Sequence, residues 1–69
     1  MDPQMLHVLW WQLREKRREL LSQSDWTQFR DSPLTTEQQD AWVVYRKALR
    51  DLPTNISDPT QVVWPTPPS

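Results

Sequence analysis

SDWTQFRDSPLTTEQQDAWVVYRKALRDLP, residues Ser24–Pro53, decides the fold of this 69-residue chain. Its first third is crowded with Ser, Asp, Thr and Gln and reads as a loop over about 23–34. Trp26 and Phe29 lie within that loop and are expected to fold back over a groove between two helices. A helix is expected to begin at Thr35 or Thr36. Thr35 with Gln38, or Thr36 with Gln39, has the spacing of a capping box, in which side chain and backbone satisfy each other reciprocally. Glu37 suits the positive end of the helix dipole. Ala41, Tyr45, Ala48, Leu49 and Leu52 then recur at helical spacing as an inward stripe, with Trp42 and Val44 flanking it and Val43 pointing outward. Lys47 and Arg50 suit the C-terminal end, and Pro53 is expected to stop the helix at Leu52. The helix therefore spans about 36–52.

Upstream, Asp2-Pro3 has the form of a helix start, with Asp as N-cap and Pro at the first helical position. No proline or glycine interrupts the chain from there to Ser22, which predicts a helix over about 3–22. Leu6, Leu9, Trp10, Leu13, Leu20 and Leu21 share one side, with Arg17 in the middle of the stripe. Val8 and Trp11 lie roughly opposite. In the charged run REKRRE, Glu15 with Arg18, or Arg14 with Glu19, are the plausible surface pairs. Downstream, TNISDPTQVVWPTPPS cannot continue as helix, and PTPP favours polyproline II. Val62, Val63 and Trp64 are costly to leave in water and are expected to dock on the helices or on a partner.

The predicted fold is all-α. It is a small helical hairpin (1–53) with an aromatic-rich connecting loop, followed by an extended Pro-rich C-terminal arm (54–69). There are no internal repeats. A core this small is marginal, so self-association or a partner is expected to help it.

Composition narrows the function. Lys and Arg nearly equal Asp and Glu, for a formal net charge of −1, which argues against nucleic-acid binding by bulk charge. The absence of cysteine removes disulfides and thiolate metal sites. The absence of glycine removes phosphate-cradling loops. His7 is the only histidine, so no zinc set can be completed, and Asp25, Asp31 and Asp40 lack calcium-loop spacing. MLHVLWWQL is far too short for a membrane span and makes a poor signal peptide. No catalytic, metal or cofactor residue is expected, and neither a nucleic acid nor a membrane partner. The default site of synthesis is a cytoplasm.

The large side chains divide into two groups. Trp10, Trp26 and Trp42 are expected to pack together between the helices, in a core with Leu13, Leu20, Tyr45 and Leu49. Trp11 with Val8, and Trp64, are harder to bury in one copy. Tryptophan is enriched where proteins bind one another, so these are the candidate contacts to another chain.

Several pieces then stand in order: Arg14, Arg17 and Leu20-Leu21; Ser24 to Gln28; Asp31 to Thr35; Trp42, Tyr45-Arg46 and Ala48 to Pro53; and Val63-Trp64-Pro65. Over roughly Arg14 to Pro68 the chain resembles the tail (fibre) assembly chaperones of tailed bacteriophages and prophages. Its N-terminal segment departs from the family pattern. The resemblance implies a non-enzymatic protein that binds the phage tail fibre protein and assists its folding, trimerisation or attachment. The implied setting is the host bacterial cytoplasm during assembly. The alternative is a structural adaptor or tip subunit retained in the virion tail. Val8, Trp11, Val43 and the arm around Trp64 are then the expected partner contacts. Arg17, Asp25, Arg46 and Asp51 are the candidate polar links of the hairpin, with their pairing left open.

Overall fold

The computed structural model describes residues 2–68. Helix α1 (Pro3–Gln23) and helix α2 (Thr36–Asn55) are joined by a corner that holds a 3-10 turn at Asp25–Gln28. A second 3-10 turn at Pro59–Gln61 opens the extended arm, and there is no strand among the described residues. The fold is the all-α hairpin that the hydrophobic spacing predicts.

Local chemistry sets each helix end. Asp2 is extended, and its Oδ1 accepts from the Gln4 amide at 3.0 Å, with Pro3 at the first helical position. Ser24 closes α1, its hydroxyl donating to the Leu20 carbonyl at 3.0 Å. Carbonyls at a helix end lack intrahelical donors, so this bond satisfies one of them. At α2, Thr35 rather than Thr36 makes the capping box. The Gln38 amide donates to Thr35 Oγ1 at 3.1 Å, and the Thr35 amide donates to Gln38 Oε1 at 2.9 Å.

Two arginines fix the register. Arg17 donates to the Arg50 carbonyl at 3.3 Å, and Arg46 donates to the Leu21 carbonyl at 2.7 Å. Four steps forward on α1 match four steps back on α2, so the helices are antiparallel. Continuing that register puts Asn55 beside about Gln12 and the end of α1 beside about Val44. Each helix therefore overruns the other, α1 through its first nine residues and α2 through its first eight. At 1.5 Å per residue the staggered pair is about 44 Å long, and the molecule measures 46 × 17 × 16 Å. The core occupies the overlap, where Leu13, Tyr45, Leu49 and Leu52 are buried.

Several expectations are corrected. Helix α2 does not stop at Leu52, because Pro53 lies inside it and the helix runs to Asn55. Proline removes only its own donor and crowds the carbonyl four residues back. Here buried Leu52 and half-buried Pro53 hold the last turn in place. Lys47 and Arg50 consequently sit inside the helix, and no basic residue occupies its last turn. Ala41 and Val44 are exposed, as is Leu6. The stagger explains Ala41 and Leu6, which lie where the other helix is missing.

Candidate partner-binding surface

The corner gathers most of the polar chemistry of the chain. Arg46 reaches from α2 across the end of α1. Its guanidinium donates to the Leu21 carbonyl, to Ser24 Oγ and to Asp25 Oδ1, each at 2.7 Å. A cation against the carbonyl end of a helix also meets the negative pole of its dipole. The Arg46 side chain is 15% exposed and that of Asp25 is 53% exposed. The bonds to Leu21 and Ser24 therefore carry more weight than the ion pair, which water screens. Thr27 is fully buried, and its hydroxyl donates to the Ser24 carbonyl at 2.6 Å. The Gln28 and Gln39 side chains tie corner to helix, donating to the carbonyls of Gln39 and Phe29 at 3.4 and 3.3 Å.

The aromatic residues continue this seam. Trp42 meets Tyr45 edge-on, with ring centroids 5.4 Å apart, and Trp26 tilts over Trp42 at 6.3 Å. Trp26 is not a core residue: it is 45% exposed, because the 3-10 turn directs Thr27 inward in its place. The trio of Trp10, Trp26 and Trp42 does not form. By the helix register Trp10 lies about 22 Å along the axis from Trp42. It is half-buried on α1, as is Leu20. Phe29 is exposed.

The arm runs back along the hairpin. Pro59, which is buried, and Val62 lie against Leu9 and Leu13. Lys16 Nζ sits 4.6 Å above the Trp64 ring, a distance at which the ring quadrupole attracts the ammonium. Pro67 reaches Leu20, Trp42 and Tyr45, and Pro68 reaches Trp26 and Trp42. Trp64 is half-buried, whereas Val63 points into solvent.

The expected contact residues do not form one surface. Val8 and Trp11 occupy the α1 overhang. Exposed Val43 lies beside the far end of α1, and Trp64 sits on the Lys16 side of α1, about 140° around the helix from Trp11. Around Val8 and Trp11 the structure adds Met5. At i, i+3 and i+6 these three form a ridge, 53%, 44% and 59% exposed in chain order. Exposed Leu6 lies on another side of the same turns. The signal was present in the sequence: MLHVLWWQL is apolar all round, and such a helix requires covering on every side.

Among the candidate polar links, Arg46 and Asp25 pair with each other. Arg17 takes the Arg50 carbonyl, and its Nε is buried with no partner among the described residues. Asp51 is exposed and makes no side-chain hydrogen bond or ion pair among the described residues. Glu15 and Arg18 approach to 3.9 Å on the surface.

No group of metal-ligating side chains occurs among the described residues. No helix there is long and apolar enough to cross a membrane. Comparison with family models matches residues 10–69 to a family described as phage tail assembly chaperone protein. Comparisons with curated proteins and with solved structures found no match.

Proposed function

The chain belongs to the phage tail assembly chaperone family, and on that basis we propose that it is a non-enzymatic chaperone of the tail fibre protein, acting in the host cytoplasm. The observation that carries this reading is the Met5–Val8–Trp11 ridge on a helix overhang that no other part of the hairpin covers. A fibre chain that has not yet trimerised exposes apolar surface and strand edges, and such surfaces aggregate. A ligand that binds only one state of a chain shifts its population by mass action. The overhang offers an apolar ridge for that purpose and stands clear of the hairpin core, so occupying it requires no unfolding. Val8 and Trp11 remain the central contacts, joined by Met5. Val43 and Trp64 are left as secondary contacts on other sides of the molecule.

The test is co-expression with the tail fibre protein, followed by co-purification and mass measurement. The expected result is a complex that Trp11→Glu dissolves while helical circular dichroism stays unchanged. Loss of the helical signal in Trp11→Glu assigns Trp11 to the folded core and defeats the reading. So does a complex that survives both Trp11→Glu and Val8→Glu.

A further inference from the structure

We propose that the groove between Trp26 and Trp42, at the opposite end of the molecule from the overhang, binds an extended, proline-containing, basic segment of a partner protein. The groove is walled by Trp26, Leu34, Ala41 and Trp42, with Glu37 also lining it and Pro68 entering from the arm. Trp26 and Ala41 remain exposed, so the arm does not fill it.

The chain's own arm shows what the groove accepts. Val62 has φ −70° and ψ 133°, near polyproline II. Pro65, Pro67 and Pro68 fix their own φ, and each disfavours helix in the residue before it. Pro68 lines this groove together with Trp26 and Trp42, and Pro67, itself exposed, borders a neighbouring cleft with Trp42 and Tyr45. Rigid prolines laid on a row of aromatic rings are the general mode by which proteins recognise polyproline II segments. The ligand there loses little conformational entropy on binding. Among the described residues no hydrogen bond ties 62–68 to the helices. The arm is held by packing and by the Lys16–Trp64 contact, so the chemistry of this surface is that of ring against proline.

Charge completes the specification. Residues 25–41 contain Asp25, Asp31, Glu37 and Asp40 against Arg30 alone. Arg46 pairs with Asp25, and Glu37 is the one charged side chain that lines the groove among the described residues, which makes its rim acidic. A lysine or arginine beside the prolines of the ligand is complementary to that rim, and complementary charge fixes the direction of docking. The site is independent of the overhang: it stands or falls whatever the ridge binds.

The experiment uses the full chain, labelled with 15N, and follows its five tryptophan indole signals. The probe is a synthetic peptide, Pro-Thr-Pro-Pro-Lys-Pro, blocked at both ends. Controls replace every Pro by Ala, or Lys by Glu. The expected result is saturable shifts at Trp26 and Trp42, with Trp10 and Trp11 unmoved, and no saturation with the alanine peptide. Replacing Lys by Glu in the peptide should weaken binding about two- to fivefold, as one exposed ion pair does. The surface variant Glu37→Lys should reverse that preference without disturbing the fold. Equal binding of the alanine peptide overturns the proposal, as does a charge preference unchanged in Glu37→Lys. A concentration-dependent dimer that moves the same two signals without peptide overturns it in favour of arm exchange between copies.

Discussion

The two helices overrun each other by nearly the same length, yet their overhangs meet different fates. The first turns of α2 are partly roofed, although most of their side chains, Ala41 included, stay exposed. The Asp25–Gln28 turn, Trp26 and the end of the arm lie over them, and Gln28 and Gln39 bond across the junction. The first turns of α1 receive only Pro59 and Val62, on the Leu9–Leu13 side, and leave Met5, Leu6, Val8 and Trp11 in water. Composition suggests the reverse, since the roofed end is the polar one. Polar residues here are structural because their donors and acceptors pair with helix ends, whereas the apolar residues at the other end have nothing to pack against. In a molecule this thin, position along the axis decides burial more than hydropathy does.

The contrast breaks first at Arg46. Arg46→Ala removes three 2.7 Å bonds at once and leaves the Leu21 carbonyl, Ser24 and Asp25 without their common donor. The expected loss is about 2–3 kcal/mol of unfolding free energy, a large share of the stability of so small a domain. Urea denaturation followed by circular dichroism measures it. Asp25→Asn keeps the acceptor oxygen and removes only an exposed charge, so it should cost under about 1 kcal/mol. If the two variants lose equally, the ion pair rather than the helix-end bonds holds the corner.

Thr27→Val comes next. It keeps the shape of a fully buried side chain and removes the hydroxyl that donates to the Ser24 carbonyl. That carbonyl still accepts from the Thr27 amide at 3.1 Å, so the loss should be about 1 kcal/mol. The same denaturation curve gives the value. A neutral outcome would make the turn a spacer and assign the roofing to Trp26 alone.

Much of this was legible in the residues and some was not. Asp2-Pro3 and Thr35–Gln38 announced both helix starts, because a cap is a local bond between neighbours in sequence. Arg46 and Asp25 were recognisable as links, but their pairing needed the register, which depends on contacts more than 20 residues apart. The helix end runs past Pro53, since the packing of Leu52 outweighs a local preference. The stagger was the largest hidden quantity. Helical periodicity gives the direction in which a side chain points and does not say whether a neighbour stands there, so Leu6 and Ala41 fit an inward stripe in sequence and are exposed in the fold. The candidate contacts Val8 and Val43 shared an outward direction in sequence, but the stagger puts them at opposite ends of the rod.

The smallest effect concerns the one cover that the α1 overhang has. Asp58 caps the Pro59–Gln61 turn, accepting from the Thr60 hydroxyl at 2.7 Å and from the Thr60 amide at 2.9 Å. Those two bonds, the hydroxyl's first, hold its carboxyl below the ordinary value of 3.8. A carboxylate whose folded-state pKa is depressed stabilises the fold above its unfolded value, and that contribution is lost as pH falls through the folded one. The turn should therefore be unchanged at neutral pH and loosen in acid, below about pH 4. Asp58 is half-buried at the surface of the turn, so the change stays local, and the Thr60 amide and Trp64 indole signals should shift while Thr27 stays fixed. Asp58→Asn keeps an acceptor oxygen and cannot titrate, so its Thr60 signal should not respond to acid. If the acid response persists in that variant, some other group anchors the arm over Leu9, and the difference between the two overhangs does not depend on this cap.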